Sequence, residues 1–339
     1  MSKDKKTGVS TDSSIKVSVL VPIFNVQKYL TKCLESLKNQ SLKGIEFICI
    51  NDGSTDNSLK ILNGFAKEDD RFVVINKDNS GYGDSMNRGL EKARGKYIGI
   101  LESDDFIDEN AFQELYKLAE SNNADIVRAN YYYHSNDGDE VHKSIKEQKL
   151  GEALDILDDT SILYEEPAIW SAIYKRSFLT DNSIRFLPTP GASYQDTSFN
   201  FKALCSAKRI VYTNKAYLHY RTDNSNSSVK SLEKVLCVTK EFEEIEKYLG
   251  VKKLDKKLKY IAQAAKFGAY HWNLQRLDKK NGLEFAKRMK REFGAATEKD
   301  LIKKAYFPKK YWIALQAILK MPIGVAFSLL YLRKKLHKN

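Results

Sequence analysis

Cysteine is scarce in this chain of 339 residues, and its distribution excludes several kinds of protein. The four cysteines, at positions 33, 49, 205 and 237, are widely separated and form no C-x-x-C pair. A zinc ribbon or a dithiol redox motif is therefore not expected, and a reducing, cytoplasmic compartment is the simplest one. The first residues also lack the apolar core of a signal peptide, so we expect residues 1–15 to be a disordered tail.

Acidic residues are outnumbered by basic ones, and the imbalance is local. The chain has 56 Lys and Arg against 44 Asp and Glu, a formal net charge of +12, and the excess lies past residue 250. A solvated helix face, nucleic-acid binding and association with an anionic membrane surface would each fit this charge. No nucleic-acid recognition fold or stacking platform is visible, so we predict no nucleic-acid partner.

The last apolar stretch, residues 311–332, favours the membrane surface. Its length is close to the ~20 apolar residues that a spanning helix needs. However, Pro322 and Gly324 interrupt it, and basic residues flank both ends. Interfacial helices have such flanks. We therefore predict a bent helix lying at the inner face of the cell membrane, and a helix packed in the core is the alternative.

Apolar periodicity predicts an α/β fold. Short apolar or β-branched runs alternate with stretches in which apolar residues recur every three or four positions. This β-α-β-α-β-α-β order predicts a mostly parallel sheet with helices on both faces, followed by an α-helical carboxyl-terminal region. Ligands of such sheets bind outside the carboxyl ends of the strands. The predicted strands are 17–21, 45–50, 72–75, 97–101, 209–212 and 216–220, with a further one beginning at residue 125.

Three carboxylates stand at the end of the fourth predicted strand. Glu102, Asp104 and Asp105 follow the apolar run 97–101 and are separated only by Ser103. Crowded carboxylates at the end of a buried strand repel one another unless a cation or hydrogen bonds neutralise them. A hard divalent cation prefers oxygen ligands and commonly brings a phosphate with it. We therefore predict a metal–diphosphate site here, and an N-cap for the helix near residue 109 is the alternative.

Four short motifs together resemble the ordered signature of glycosyltransferase family 2. They are VPIFN at 21–25, NDGSTD at 51–56, ESDD at 102–105 and QD at 195–196. Each is common alone, whereas their order and spacing make the set specific. The resemblance covers roughly residues 16–228 and implies a GT-A catalytic domain there. Residues 229–339, a helical region with a basic and apolar tail, lie outside it.

The resemblance implies that a divalent cation, Mn²⁺ or Mg²⁺, binds the acidic triplet. Asp104 is the implied direct ligand with Glu102 and Asp105 beside it, although the family often has Asp at position 102. His219 is implied as a further ligand, while a lone histidine is more often a core or surface residue. Asp52 is implied to accept a hydrogen bond from the uracil ring, and a plain Asx turn is the alternative. The residues implied in nucleotide-sugar binding are Pro22, Phe24, Asn25, Asp52, Asn79, Gly81, Asp84, Arg88, Ser103, Asp104 and Arg221.

Asp196 is the implied catalytic base. Inverting transfer needs a carboxylate near the acceptor hydroxyl, opposite the departing diphosphate. Gln195 stands where the family usually has Glu, and the loss of that charge is expected to lower the pKa of Asp196. An N-cap for the helix from residue 197 is the alternative interpretation. Trp170 and Gln195 are the predicted acceptor-binding residues, and for Trp170 a place in the core fits as well.

The resemblance implies an inverting hexosyltransferase of bacterial polysaccharide assembly, for example of a capsule. The donor would be a UDP-hexose, and the acceptor a saccharide or a lipid-linked saccharide. A nucleotidyltransferase on a similar sheet is one alternative, but it would need a Gly-rich loop with Lys or Arg where PIFN stands. A non-catalytic saccharide- or membrane-binding protein is the other alternative, and the presence of both Asp104 and Asp196 argues against it.

Overall fold

The computed structural model describes residues 15–145, 150–224 and 234–336, with side chains up to Tyr331. The predicted disordered tail lies outside the described residues except at Ile15. The strands are β1 Val17–Ile23, β2 Ile45–Asp52, β3 Phe72–Lys77, β4 Tyr97–Ile100, β5 Phe106–Ile107, β6 Ile126–Ser135, β7 Gly138–His142, β8 Ala153–Leu154, β9 Ala172–Lys175 and β10 Ile210–Arg221. The α-helices are α1 Gln27–Lys38, α2 Ser58–Glu68, α3 Tyr82–Lys92, α4 Ala111–Ser121, α5 Arg176–Asp181, α6 Gln195–Ser206, α7 Val238–Val251, α8 Lys256–Leu274, α9 Lys279–Glu298, α10 Lys309–Lys320 and α11 Ile323–Leu336.

One mixed sheet joins the ten strands of the described residues. Its order is β3-β2-β1-β4-β9-β6-β10-β5, with β7 beside β6 and β8 beside β10. The first four strands are parallel, since β1 pairs with β2 and β4, and β2 pairs with β3. Strand β9 is antiparallel to both β4 and β6, and it connects the first half to the parallel pair β6 and β10. The predicted α/β architecture is confirmed, and the second half adds antiparallel strands to it.

The strands that lead to the carboxyl edge are apolar on both faces. Every residue of β1, β2 and β4 is buried, as is typical of parallel strands that helices cover on both sides. Strand β1 runs beyond its predicted end at residue 21, through Pro22 to Ile23. The proline is tolerated because it lies past Leu20, the last residue of β1 that pairs with β4.

Strand β10 is continuous where the sequence predicted two strands, 209–212 and 216–220. Its pairing with β6 shifts register between Tyr212 and Ala216. An irregularity of this kind interrupts the alternation of buried and exposed positions, which is why the sequence pattern divides there. Strand β5 pairs antiparallel with β10. That pairing brings the acidic segment after β4 against the carboxyl end of β10.

The predicted helical carboxyl-terminal region is confirmed. Helices α7 to α11 follow one another without a further strand in the described residues, and α7 packs on α6. Pro322 separates α10 from α11. Their buried residues are Ala314, Leu315, Ile318, Ala326, Phe327 and Leu330. Within the ranges that the structure describes, no helix combines the length and the hydropathy that a membrane-spanning segment needs.

Candidate active site

The carboxyl edge of the sheet brings four carboxylates together near Tyr220. Glu102, Asp104 and Asp105 follow β4, and Asp196 lies in the first turn of α6; we call these four residues the acidic mouth. Burial and the charges of Asp105, Asp104 and Asp196 raise the pKa of Tyr220. The charges of Asp104 and Asp196 also act on Glu102. The metal motif and the predicted base therefore lie at one edge.

Two carboxyls of the metal motif, those of Glu102 and Asp105, have raised pKa values and resist ionisation. Burial raises the pKa of Glu102 to about 8, although the Tyr82 hydroxyl donates to its Oε1 at 2.7 Å. Burial, and then the charge of Asp104, raise the pKa of Asp105 well above its ordinary value. Asp105 Oδ1 accepts the Arg221 backbone N–H at 2.7 Å, whereas Oδ2 is buried and has no hydrogen-bond partner among the described residues. A cation would satisfy this oxygen and offset the repulsion, so the donor set fits a divalent metal.

Asp104 is held by residues at the end of β10. The Asn224 side-chain amide donates to Asp104 Oδ2 at 2.7 Å, and Arg221 Nε donates to the Asp104 carbonyl oxygen at 3.0 Å. The Arg221 guanidinium lies 4.7 Å from the centre of the Tyr29 ring. The N-cap alternative for this segment is wrong, because Asn110 holds the N-cap of α4. Arg221 thus lies at the acidic mouth, and Asn224 is a contact that the motifs did not identify.

Asp52 ends β2 and is surrounded by groups of the chain itself. Its carboxylate pairs with the Lys77 ammonium and accepts the backbone N–H groups of Ser80 and Gly81 at 2.9 and 3.0 Å. The side chains of Asp52 and Lys77 are only 7% and 6% exposed. Asn79 donates to the Asp52 carbonyl oxygen at 2.9 Å. The uracil contact of Asp52 stays a prediction, and Lys77 was not identified from the sequence.

Gly81 occupies a position where a side chain would not fit. Its φ is +98°, in the left-handed region, and a Cβ would lie 2.8 Å from the Gly191 nitrogen. The loop before α6 therefore crosses directly over the start of α3. We call Asp52 and the partners of its carboxylate, Lys77, Ser80 and Gly81, the Asp52 group. Because Gly81 donates to Asp52 and the next residue, Tyr82, donates to Glu102, this crossing links the Asp52 group to the acidic mouth.

Asp84 and Arg88 lie on α3 beside the same lysine. Lys77 Nζ is 3.2 Å from Asp84, and Arg88 Nε donates to Asp84 at 2.9 Å. The hydroxyl of Ser80, with Lys77 and Arg88, holds the pKa of Asp84 below its ordinary value. The side chain of Arg88 is 52% exposed. Asp84 therefore extends the group around Asp52 towards the surface, and the predicted nucleotide contacts of both residues stay predictions.

The predicted nucleotide-pocket residues near the end of β1 differ in exposure. Pro22 and Ser103 are buried, whereas Phe24 is 50% exposed. Asn25 has a φ of +49°, and its Oδ1 accepts the backbone N–H of Thr55 at 2.8 Å. That bond ties the loop after β1 to the loop after β2. The two loops that carry the first two motifs therefore lie side by side.

Asp196 has the environment of a base that works near neutral pH. Helix α6 begins at Gln195, after Tyr194, whose φ is +62°. Burial raises the pKa of Asp196 to about 7, and the charge of Glu166 adds to the rise. The effect of the missing charge at position 195 stays a prediction, because burial and the charge of Glu166 raise the pKa of Asp196 with Gln195 already in place. The N-cap alternative is wrong, since Tyr194 holds that position.

Glu166 was not identified from the sequence. The hydroxyls of Tyr131 and Tyr133 donate to its Oε2 at 2.9 and 3.2 Å, and an Arg128 Nη donates to its carbonyl oxygen at 3.0 Å. All three partners belong to β6, far from Glu166 along the chain, so no local motif reports the contact. Tyrosines two positions apart share one face of a strand, and this pair is the signal that could have located the site.

The predicted acceptor-binding residues border the acidic mouth but bond towards the interior. Gln195 Oε1 accepts the Ser193 N–H at 2.6 Å, and its Nε2 donates to Thr189 Oγ1 at 2.9 Å. Trp170 is buried and stacks on Tyr220, with ring centres 5.0 Å apart. Both side chains therefore make their contacts on the interior side of the acidic mouth. Their contact with an acceptor stays a prediction.

His219 makes its contacts outside the acidic mouth. Its Nε2 lies 3.0 Å from Asp108 Oδ1, and its Nδ1 lies 2.9 Å from Asp139 Oδ2. Each ring nitrogen therefore faces a carboxylate that does not belong to the acidic mouth, although the contact of Nδ1 lacks the geometry of a hydrogen bond. This arrangement disfavours the role predicted for His219 as a ligand of the donor-site metal.

Comparisons with known proteins agree with this geometry. Residues 18–190 match the family model described as glycosyl transferase family 2. The chain is 33% identical over 224 residues to the uncharacterized glycosyltransferase EpsJ of Bacillus subtilis, an alignment that spans 62% of each chain. It is 32% identical over 200 residues to the poly(ribitol-phosphate) beta-glucosyltransferase of Bacillus spizizenii, which covers 58% of this chain and 30% of that one. The chain thus spans less than two thirds of the length of these relatives.

A solved structure shares the fold. The structure of S. aureus TarS 1–349 in complex with UDP-GlcNAc superposes with a TM-score of 0.76 at 20% sequence identity. The superposition covers 95% of this chain and 92% of that one, including the helical carboxyl-terminal region. The predicted GT-A fold is thereby confirmed.

Proposed function

Because the chain belongs to glycosyl transferase family 2, we propose that it transfers a hexose from a UDP-sugar to a saccharide or lipid-linked saccharide acceptor with inversion. The match to the family model and the names of the relatives confirm the family and the enzyme class that the motifs predicted. The Bacillus spizizenii relative is named a glucosyltransferase, and TarS was solved with UDP-GlcNAc. These names support a UDP-hexose as the donor and a polymer as the acceptor.

The position of Asp196 is the observation that carries the proposal. Its carboxyl lies at the same edge as the metal motif, and its pKa of about 7 suits a general base at neutral pH. In the proposed reaction the acceptor hydroxyl oxygen attacks the anomeric carbon while the bond from that carbon to the UDP oxygen breaks. Asp196 takes the hydroxyl proton, and UDP leaves with the electron pair.

Asp104 would hold a divalent cation, Mn²⁺ or Mg²⁺, with Glu102 and Asp105 beside it. When bound, the cation would neutralise charge that develops on the leaving diphosphate. Arg221 and Asn224 would keep Asp104 in position, since both donate hydrogen bonds to it. The crowding of these carboxylates supports the proposal, because no lysine pairs with any of them in the described residues.

Release of UDP from a panel of UDP-hexoses, with Mn²⁺ and saccharide acceptors, tests the proposal. We expect turnover with one of the sugars and a loss of about 10³-fold in Asp104→Asn, because metal stabilisation is worth several kcal/mol. Asp181→Asn changes an exposed aspartate at the end of α5 and is the matched control. Equal turnover in Asp104→Asn and the control, or no turnover with any sugar, would contradict the proposal.

The last two helices support a position at the inner face of the cell membrane, where a lipid-linked acceptor for a bacterial polysaccharide such as a capsule would lie. Apolar side chains remain exposed on and between α10 and α11, and Lys309 and Lys310 begin α10. Such a combination binds anionic bilayers. The exposed apolar residues are Ile313, Met321, Val325 and Leu329.

Co-sedimentation with vesicles tests the membrane position. The protein is expected to sediment with vesicles that contain anionic phospholipid and to stay in solution with purely zwitterionic ones. Leu329→Asp should weaken binding about tenfold, because one buried leucine contributes roughly 1.5–3 kcal/mol. Identical sedimentation with both vesicle types, or an unchanged Leu329→Asp variant, would count against it.

A further inference from the structure

Two histidines and an aspartate from three strands meet next to the acidic mouth. His134 in β6, Asp139 in β7 and His219 in β10 each offer one ligand atom, and these atoms all lie within 4.8 Å of one another. His134 Nδ1 is 2.6 Å from Asp139 Oδ1, and His219 Nδ1 is 2.9 Å from Asp139 Oδ2. We call these three residues the histidine cluster.

We propose that the histidine cluster is a second metal site, distinct from the donor site, that binds Zn²⁺ or a similar transition-metal dication. Two imidazoles and one carboxylate are ligands that zinc prefers, whereas the all-oxygen acidic mouth suits Mn²⁺ or Mg²⁺. The difference in ligand chemistry is the first reason to treat the two sites as separate. The second is that no residue belongs to both.

The spacing of the cluster is close to that of a tetrahedral site. With zinc–ligand bonds of ~2.0–2.1 Å, two ligand atoms of a tetrahedral ion lie roughly 3.3 Å apart. The two nitrogen–oxygen contacts, which involve different oxygens of Asp139 and are 2.6 and 2.9 Å long, would therefore widen by about 0.7 and 0.4 Å. Asp139 can move by that amount, because its side chain is 35% exposed on a hairpin strand. The same exposure gives water access to a fourth ligand position.

Asp108 provides an independent observation that points to a metal. Its Oδ1 lies 3.0 Å from Nε2 of His219, the ring nitrogen that does not face Asp139. Histidines that bind a metal through one nitrogen commonly donate the other N–H to a carboxylate, which fixes the tautomer and the orientation of the ring. His219 therefore has the outer partner of a metal ligand already in place.

Aromatic rings hold the imidazole of His219 on both sides. Phe106 in β5 stacks on it with ring centres 4.2 Å apart and an angle of 8°, and Tyr132 in β6 with 4.7 Å and 18°. Strands β5 and β6 flank β10, so the rings of Phe106 and Tyr132 lie on opposite faces of the His219 imidazole. The plane of the ring is thus fixed before an ion binds. A metal bound there would fix the position of β10 two residues before Arg221. The backbone N–H of Arg221 donates a hydrogen bond to Asp105.

Metal titration of the tag-free, full chain carrying Asp104→Asn tests the site, since that variant removes the predicted donor-site ligand. We expect one equivalent of Zn²⁺ by calorimetry and a visible absorption band with Co²⁺. His134→Gln and Asp139→Asn should each weaken binding at least tenfold, and Asp108→Asn about 10- to 100-fold. His142→Gln, in the same hairpin with its ring 4.7 Å from that of Tyr131, is the matched control.

A metal-free network, in which a protonated His219 bridges two aspartates, makes the opposite predictions. The absence of Zn²⁺ and Co²⁺ binding would overturn the proposal. So would unchanged affinity in both His134→Gln and Asp139→Asn, once melting in EDTA has shown that they fold. If either variant fails to fold, the same comparison rests on Asp108→Asn against His142→Gln. Because UDP release depends on Asp104 and Asp196, a negative result here would leave the proposed transferase activity intact.

Discussion

Asp52 ends β2 and three carboxylates of the acidic mouth follow β4, on either side of β1 in the sheet, yet the charges of the two groups are balanced in opposite ways. Asp52 pairs with the buried ammonium of Lys77 and with two backbone N–H groups. The acidic mouth has no lysine partner in the described residues, and the guanidinium of Arg221 bonds to a carbonyl oxygen and lies 3.3 Å from Asp223. The chain thus supplies a cation, the ammonium of Lys77, to the Asp52 group, whereas no lysine of the described residues neutralises the acidic mouth.

This difference predicts separate tasks for the Asp52 group and the acidic mouth. A carboxylate that is neutralised by the chain is preorganised and can bind a neutral donor group such as a uracil N–H. Crowded carboxyls with raised pKa values, such as Glu102 and Asp105, are a binding place for an added cation. We therefore expect nucleoside recognition at the Asp52 group, and metal binding and chemistry at the acidic mouth.

Replacing Asp196 should have the largest effect and should act on chemistry alone. Asp196→Asn is expected to lower kcat by about 10²- to 10⁴-fold, because the general base is lost. The affinity for UDP should stay within twofold, since the Asp52 group is unchanged. Discontinuous assays of UDP release measure kcat, and calorimetric titration with UDP measures the affinity. A fall in affinity without a fall in kcat would place Asp196 in binding instead.

Replacing Lys77 should make the Asp52 group resemble the acidic mouth. Lys77→Met leaves Asp52 and Asp84 without the ammonium, and loss of one partner of a buried ion pair should lower the free energy of unfolding by about 3 kcal/mol. UDP should bind more weakly as well. Urea unfolding and UDP calorimetry report the two effects.

The exposed lysine Lys38 provides the matched control. It pairs with Glu68, and the two side chains are 41% and 66% exposed. Lys38→Met should therefore leave the free energy of unfolding nearly unchanged, because an exposed ion pair is screened by water. Equal destabilisation by Lys77→Met and Lys38→Met would mean that burial does not distinguish the Asp52 group.

The pH dependence of the rate should show the effect of one neighbouring charge. With a pKa of about 7 for Asp196, kcat/KM should fall about tenfold per pH unit below pH 7. Glu166→Gln removes a negative charge that opposes ionisation of Asp196, so its pKa should fall and the acidic limb should move to lower pH. Glu165→Gln, one residue away and exposed, should leave the limb in place. A limb that moves to higher pH in Glu166→Gln would contradict this electrostatic explanation.

The first half of the sheet was predictable because each strand there is an apolar run closed by polar residues. The predicted strands 45–50 and 72–75 lie within β2 and β3, and the motifs after them lie at the predicted edge. The second half was less predictable, since β9 and β5 are short and antiparallel and β10 shifts register within its length. Their positions depend on pairing between distant segments, which local periodicity does not encode.

The same limit applies to the candidate site. Asp104 and Asp196 stand in motifs and could be identified one by one. Lys77, Glu166 and Asn224 could not, because each acts through a partner 25 or more residues away or through a charge across the fold. The raised pKa of Asp196 could not be predicted from the sequence for the same reason. Burial, the largest cause of the shift, is a property of the folded chain.

Calorimetric titration of the wild-type protein with UDP, once with Mn²⁺ and once with EDTA, tests most directly whether the acidic mouth takes up an external cation. We expect UDP to bind at least tenfold more tightly with Mn²⁺, because the cation would join the diphosphate to carboxylates that otherwise repel it. Equal UDP affinity in Mn²⁺ and in EDTA would contradict a metal-binding acidic mouth.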